Sequence, residues 1–594
     1  SARRDPVKDD TAIPTPQLLR RLHCAVAGHV EGGSSRRGTL GSVLGLLDVL
    51  RRSYAVARIN PPYGSGNRMP DDVQDYVEEH YEYTSNFYIN FFEAGDRLAR
   101  SGGRVGMLVP HSFLFNKSFS DFRGDFIGER GNFEFLSEFG YDILDNATVG
   151  TVGTVIRTGS EGEQETGRFV RLSDVEKDRK ESTFLSSLFE AEPDFEVQRL
   201  YERSLDEFAL ISGSPLSYWV PENLRTFYEA KTVFDAENAG LDDRQSLGNV
   251  KQGLATADDD RFTRQFWETP TSKDRWTPFE KGGKDTWLLP RVNLCLNWSD
   301  HGNELSRYDG SVIRNRDYYF RSGITFNRAK RSGRRFGVLH EQSIFADKGP
   351  VVVSEGNDWS LLGFTNSRFG TYLMLCQTAE RMWEIGMISK MPWEPEMGSS
   401  TELKAATKEI VGSLYALRKS AFHSPHYQGP LLHRLLPVES QSLSAHASHP
   451  HRDLANELSV PETSTAGFDA SLHELAIEAE KFRQSVQQSI EQHASDLDHV
   501  VFDHFDIDEE QQEEIYTEIA YRTIDDPRET PSYDPEAVEE PPEDFPELVK
   551  RLLLHLTFEV VEEDDDGIVL LRAESDEEEA DLLEKMTEKF EDIW

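Results

Sequence analysis

Cysteine is scarce in this sequence. Three occur in 594 residues, Cys24, Cys295 and Cys376, odd in number and far apart. That excludes a disulfide framework and points to a reducing, cytoplasmic setting. His23, Cys24 and His29 have ligand-like spacing but no second pair nearby, so no metal site is expected. No run of 18 apolar residues exists, so no membrane-spanning helix and no membrane partner are expected. The opening SARRDPVKDD lacks the apolar centre of a secretory signal. Basic residues are also short. Lys and Arg number 64 against 106 Asp and Glu, giving a net charge of −42. Residues 501–594 alone hold 34 acids and 7 bases. Such a surface resembles that of proteins from salt-loving organisms. It excludes a generally basic nucleic-acid-binding body; any such site must be a local patch.

The apolar fraction of 37% and the 11% aromatics suffice for packed cores, and the length suits several domains. Ser53–Ile59 reads as a short buried strand. DDVQDYVEEHY follows as a polar helix. From Asn86 an amphipathic helix is expected, with Phe87, Phe91, Ala94 and Leu98 on one face and Gly102-Gly103 at its end. Arg104–Pro110 reads as a strand, SFLFNKSFSDFRGDFIGER as a helix, and Phe133–Tyr141 and Val149–Ile156 as further strands. This alternation is the pattern of a parallel α/β sheet. Thr158–Leu205 is polar and reads as a linker; Pro193, Asp194 and Glu196 in it read as surface residues. Residues 402–506 read as mostly helical, SLHELAIEAEKFRQSVQQSIEQH as a packing helix, and DDPRETPSYDPEAVEEPPEDFPE as a linker. The last acidic stretch reads as a small α/β unit.

The strand at Ser53–Ile59 runs into Asn60-Pro61-Pro62-Tyr63. On α/β sheets, ligands bind at the carboxyl ends of strands. The four residues suit a reaction at the exocyclic amine of a flipped-out base. That nitrogen's lone pair is delocalised into the ring. Two acceptors aimed at the amino hydrogens, the Asn60 side-chain oxygen and the Pro61 carbonyl, draw it toward tetrahedral geometry. Pro62 stiffens the loop, and Tyr63 can stack on the base.

Asn-Pro-Pro-Tyr after a strand resembles the catalytic motif of N6-adenine and some N4-cytosine DNA methyltransferases. GRVGMLVPHSFL resembles the same enzymes. VKQGLATADDDRFTRQFWE, KGGKDTWLLPRVNLCLNWSDHGNEL, NRDYYFRSGITFNR and LLGFTNSRFGTYLMLC are similar to the target-recognition half of the PglX-type methyltransferases of BREX phage-defence systems. Type II fusion restriction–methylation enzymes share parts of the pattern. The resemblance spans about 41–395. It implies S-adenosylmethionine as cofactor, double-stranded DNA as partner, and the second part of a Rossmann-like methyltransferase domain followed by an α+β target-recognition domain and a helical, acidic C-terminal region. The expected boundaries are 1–160 for the methyltransferase part, 161–240 for the linker or insertion, 241–400 for target recognition, 401–525 for a helical domain and 526–594 for the acidic remainder.

The sequence departs from this pattern in three ways. A glycine-rich DPxCGSG-type cofactor motif is missing from the 59 residues before Asn60, so the cofactor-binding residues are unassigned and an upstream methyltransferase half or other defence proteins become candidate partners. DNATVGTVGTVIR supplies no second aromatic to sandwich the base. No nuclease domain is recognisable. The recognition region also carries a basic run: Arg314, Arg316, Arg321, Arg328, Lys330, Arg331, Arg334 and Arg335 against Asp317 alone, with Tyr318, Tyr319 and Phe320 interleaved. Arg suits phosphates and guanine edges. Arg328, Lys330, Arg331, Arg334 and Arg335 are expected on phosphates; Arg314, Arg316 and Arg321 are the better base readers. For Arg261 and Arg264, ion pairing with Asp258–Asp260 and phosphate contact both stay open. The expectation is a site-specific adenine DNA methyltransferase; the alternative is a catalytically inactive DNA-recognition subunit.

Overall fold

The computed structural model describes Gly45, Val49 and residues 52–593, apart from 65–68, 130–132, 142, 145–148, 160–165, 191–197, 270–274, 284–285, 330–332, 355–358, 378–381, 437–442, 465–469, 539–543, 565–568 and 570–581. Cys24, its neighbouring histidines, Pro193, Asp194, Glu196, Lys330 and Arg331 lie outside the described residues. The chain divides after Glu222 into two compact units.

The first unit is built on a mixed six-stranded sheet. Its strands are β1 (Tyr54–Ile59), β2 (Ala99–Pro110), β3 (Phe133–Gly140), β4 (Thr151–Arg157), β5 (Thr166–Arg171) and β6 (Leu200–Ser204), in the order β1-β2-β4-β3-β5-β6. β1 and β2 are parallel, as the strand–helix–strand pattern predicts. β4 inserts antiparallel between β2 and β3, so the sheet is mixed and not wholly parallel. β5 and β6 come from the region read as a linker. TGRFVR and LYERS are too polar to stand out in sequence, yet Phe169, Val170 and Tyr201 are buried.

Helix α1 (Asp71–His80) falls where expected, and helix α2 (Phe87–Leu98) starts where expected, after Asn86, but ends at Leu98. The buried side of α2 differs from the expected one. Tyr88, Ile89, Phe92 and Gly95 are buried, whereas Phe87, Phe91, Ala94 and Leu98 are only half-buried. The reason is contact with the sheet: a Cβ on Gly95 would lie 2.7 Å from Val105 Cγ1 and 3.3 Å from Ile59 Cδ1. Phe92 joins Phe113, Phe122 and Phe126 in an aromatic cluster. Gly102 and Gly103 lie within β2 rather than capping the helix. The segment read as one helix after Pro110 is instead two 3₁₀ turns followed by a π-helical turn over Phe122–Glu129. Its Arg123 is buried and donates to the carbonyls of Phe113, Asn116, Gly213 and Ser214; burial pushes its guanidinium down to about 9. β1 is also less buried than expected. Val56 is 61% exposed, because among the described residues β1 is the outermost strand.

The second unit combines small sheets with long helices. Strands β7 (Asn249–Lys251), β8 (Thr263–Gln265), β9 (Trp276–Glu280), β10 (Leu294–Asn297), β11 (Gly323–Phe326), β12 (Phe336–Leu339), β13 (Ile344–Phe345) and β14 (Val351–Val353) form two four-stranded sheets, β8-β10-β9-β13 and β12-β11-β14-β7. Leu254, Phe262, Phe279, Leu296, Trp298, Tyr319 and Phe345 share one core. Helix α3 (Thr401–Arg418) packs along α4 (Leu472–His504), which carries the expected apolar periodicity. α5 (Glu509–Arg522) follows. The described first part of the expected 525–547 linker, 525–538, is not free chain: Tyr533 is buried, and carbonyls of this segment are bonded to arginines of the same unit. Among the described residues the acidic end forms two helices, α6 (Phe545–Glu563) and α7 (Leu582–Ile593); apart from Asp564 and Val569, the stretch between them lies outside the described residues.

Candidate active site and nucleic-acid face

Asn60 follows the last residue of β1, whose Ile59 pairs with Met107 of β2. The loop is held at the carboxyl ends of both strands. The Tyr63 hydroxyl donates to the Leu108 carbonyl at 3.1 Å. The Tyr63 ring meets Tyr88 edge-on, centroids 6.4 Å apart, and Tyr88 shares a 2.9 Å hydrogen bond with Ser112. Burial raises both phenols above their usual range. The Phe87 N–H donates to the Gly64 carbonyl at 3.1 Å, fastening the loop to the start of α2. Pro61 is buried, while Asn60 and Pro62 are exposed. The result is a rigid loop with its amide presented outward.

The sheet brings two further side chains to the same edge. His111 follows β2 and Tyr141 follows β3, whose direction matches that of β2. Their rings meet edge-on at 5.6 Å, and Tyr141 is 38% exposed. Gly150 makes room: a Cβ there would lie 2.5 Å from the His111 ring. An exposed aromatic thus stands at a carboxyl end; it comes from the end of β3 and not from DNATVGTVGTVIR, which leads into β4. Before β1 only Gly45, Val49, Arg52 and Ser53 are described, so the stretch where the resembled enzymes carry their cofactor motif lies outside the described residues.

In the second unit the basic run splits. Arg314, Arg316 and Arg321 are exposed. Arg316 lies over the Trp298 ring at 5.3 Å, and Arg321 and Lys251 each lie 5.2 Å from the Tyr318 ring. Tyr318 is half-buried and donates to Asn249. Tyr319 is buried in the core and donates to the Arg314 carbonyl at 2.8 Å, so its ring is not available to a base. The expected phosphate group is corrected more strongly. Arg335 is fully buried, stacked 3.7 Å over Trp383, and burial pushes it down to about 9. Arg334 is buried, donates to the carbonyls of Pro531 and Tyr533, and pairs with Asp525 at 2.9 Å. Arg328 pairs with Glu384. Arg334 and Arg335 are buried and Arg328 partly so, and all three are engaged within the unit.

Arg261 is exposed and pairs with Glu304 at 2.9 Å, not with the Asp258–Asp260 side chains. Asp258 caps a short turn and accepts from Tyr308; Asp259 pairs with Lys281. Arg264 is exposed, donates to the Asp260 and Thr263 carbonyls, and lies 5.9 Å from the Trp276 ring. Two features are not legible in the sequence. One is the conformation of Phe320, exposed and left-handed at φ +61°. The other is an open pocket of about 410 Å³ lined by Arg261, Asp300, Asn303, Glu304, Arg307 and Tyr308. It sits beside three successive left-handed residues, Asp300, His301 and Gly302. The Asp-His-Gly triplet was the available signal.

The comparisons agree with the first unit's motif. Residues 59–143, from the end of β1 through β3, match the family of the Eco57I restriction-modification methylase. The chain is similar to the adenine-specific methyltransferase BrxX of Escherichia coli O9:H4 (strain HS), 22% identical over 410 residues that take in 65% of this chain and 31% of that protein. The chain therefore spans about a third of the length of this curated relative. Among solved structures, it resembles the type IIL restriction-modification enzyme MmeI in complex with DNA, at 12% identity over 73% of this chain and 57% of that one, TM-score 0.39. It also resembles a putative class I S-adenosylmethionine-dependent methyltransferase from Listeria monocytogenes, at 16% identity over 30% and 61%, TM-score 0.20.

Proposed function

We propose that this chain is the base-handling and DNA-recognising part of a site-specific N6-adenine DNA methyltransferase that uses S-adenosylmethionine in a BREX-like defence or restriction–modification system. The single observation that carries this is the rigid Asn60-Pro61-Pro62-Tyr63 loop at the carboxyl end of β1, within the segment matching the restriction-modification methylase family. In this reading the first unit is the second part of a Rossmann-like domain and residues 241–400 recognise the target. The Asn60 side-chain oxygen and the Pro61 carbonyl accept the two hydrogens of the adenine amine. Both acceptors are set before the base arrives, so they favour the pyramidal nitrogen of the transition state over the flat ground state. Tyr63 is fixed by its bond to Leu108 and offers ring surface to the flipped base. Arg314, Arg316 and Arg321 meet the duplex.

The test is long-read sequencing of genomic DNA from cells carrying the gene in its native setting. The unaltered protein is expected to leave N6-methyladenine at one recurring site. Asn60→Ala should abolish the mark while the purified chain keeps DNA affinity within about twofold, since the amide acts on the amine and not on the duplex. Methylation persisting in Asn60→Ala overturns the assigned role. The same experiment distinguishes a second reading. A DNA-recognition subunit without catalysis would bind one sequence selectively and leave no methyl mark in either strain.

A further inference from the structure

We propose that Phe320 is a stacking wedge that inserts against a base at the recognised DNA site; this rests on the DNA-recognition reading above. The backbone carries the first part of the argument. Phe320 has φ +61°, a conformation that bulky residues rarely adopt and that glycine takes at no steric cost. Residues in such strained conformations cluster where the surroundings fix them for a task. The surroundings here are firm. Tyr319, one residue earlier, is buried in the core, with its ring edge-on to Trp298 and Phe345 and its hydroxyl on the Arg314 carbonyl. The Phe320 N–H donates to the Ser343 carbonyl at 3.1 Å. With Tyr319 pinned inward and the backbone held to Ser343, the left-handed turn throws the Phe320 ring outward, where it is 47% exposed.

Charge carries the second part. An exposed phenyl ring would also suit an apolar protein partner, but its neighbours along the chain are the exposed Arg314, Arg316 and Arg321, with Asp317 as the acid among them. On a chain of net −42 this is an unusual concentration of free cations. A ring offered among guanidinium groups suits a ligand with phosphates around a flat aromatic face. Every base has such a face, and base–aromatic stacking is tolerant of sequence. Apolar side chains wedged into a base step unstack it and bend the duplex. Arg316 is held over Trp298, which follows β10, and Arg321 over Tyr318 of the same turn, so the cations beside the wedge are fixed by aromatic neighbours.

The experiment uses the 594-residue chain and a library of 30-base-pair duplexes with a randomised core. Duplexes recovered by the unaltered chain are probed for unstacked thymines with permanganate. One base step is expected to become reactive in the complex. Phe320→Ala and Phe320→Gly should lose that reactivity and bind the recovered duplexes about tenfold more weakly, with under twofold change on scrambled duplexes. Phe320→Gly should melt no lower than the unaltered chain, because glycine relieves the backbone. If both variants keep the reactivity and the affinity, Phe320 is not a wedge, although DNA recognition stands. If the unaltered chain enriches no sequence, the DNA-recognition reading falls and this inference with it. If both variants melt several degrees lower, the ring is a packing residue and the proposal fails.

Discussion

The two halves of the Arg314–Arg335 run are both basic, +2 over 314–321 and +5 over 328–335, and have opposite fates. Between Arg314 and Arg321 the guanidiniums are in solvent, laid over Trp298 and Tyr318. Between Arg328 and Arg335 those described are paired, bonded to carbonyls or stacked over Trp383 inside the unit. The difference lies in what each half meets. The first half is a turn built around the core residue Tyr319. The second leads into β12, all of whose residues are buried, and the 525–533 segment closes over it. Arginine density in a sequence therefore measures neither exposure nor affinity for phosphate. Its planar, weakly hydrated cation serves buried carbonyls as readily as DNA.

The largest expected effect tests the buried half. Arg334→Ala removes a guanidinium from the carbonyls of Pro531 and Tyr533 and leaves Asp525, itself half-buried, without its partner. A loss of about 3–5 kcal/mol is expected, read from the midpoint of urea unfolding of the second unit. DNA affinity measured well below the melting temperature should not change. A stable variant with weakened DNA binding would reverse the assignment.

The exposed half gives the next effect. Neutralising Arg314, Arg316 and Arg321 together to Gln should flatten the slope of log affinity against log salt by up to about 2.7, at roughly 0.9 per phosphate contact. Where one of them reads a base, its loss should cost about 1–3 kcal/mol at that position alone. Unfolding midpoints should stay within about 0.5 kcal/mol of the unaltered chain. A salt titration on recovered and scrambled duplexes separates the two contributions. An unchanged slope would move the DNA face elsewhere.

What was legible in the sequence was local. The Asn60-Pro61-Pro62-Tyr63 loop, α1, the start of α2, the Arg104–Pro110 part of β2 and the periodicity of α4 depend on neighbours a few residues away. What was not legible depends on distant ones. Arg334 and Tyr533 are 199 residues apart in sequence, and no local pattern announces their bond. The buried side of α2 was misjudged because Gly95, with no side chain to score, turned out to be the contact with the sheet. Thr166–Arg171 passed as linker because its exposed arginine alternates with buried Phe169, a pattern shorter than the eye trusts. Phe320 was seen as one aromatic among three; its backbone angle separates it from Tyr319.

Buried basic groups extend the comparison to pH. Burial lowers His433 and His446 to about 4 and His449 to about 3. In the unfolded chain they titrate near 6.5. Between those values the unfolded state takes up protons that the folded state does not, so stability falls as pH drops from about 6.5 toward 4 and is fully present above 6.5. Each such histidine adds a slope of up to about 1.4 kcal/mol per pH unit. His433→Leu should flatten the dependence in this window, as read by urea midpoints at several pH values. A His433→Leu profile parallel to the original would show that His433 is protonated in the folded chain.

Arg328 lies at the boundary between the two halves and gives the smallest effect. Its guanidinium pairs with Glu384, whose carboxylate is half in solvent, while its carbonyl accepts from the Trp383 N–H at 2.9 Å. The backbone contact survives any side-chain substitution. Only the ion pair is at stake, and pairs this exposed are worth roughly 0.2–1 kcal/mol. Arg328→Ala should thus cost well under what Arg334→Ala costs, and a double-mutant cycle with Glu384→Ala should recover that small coupling and lose it in high salt. DNA binding should keep both its affinity and its salt slope. If Arg328→Ala instead lowers the slope by about 0.9, the guanidinium leaves Glu384 for phosphate in the complex, and the boundary between the two halves shifts from before Arg328 to after it.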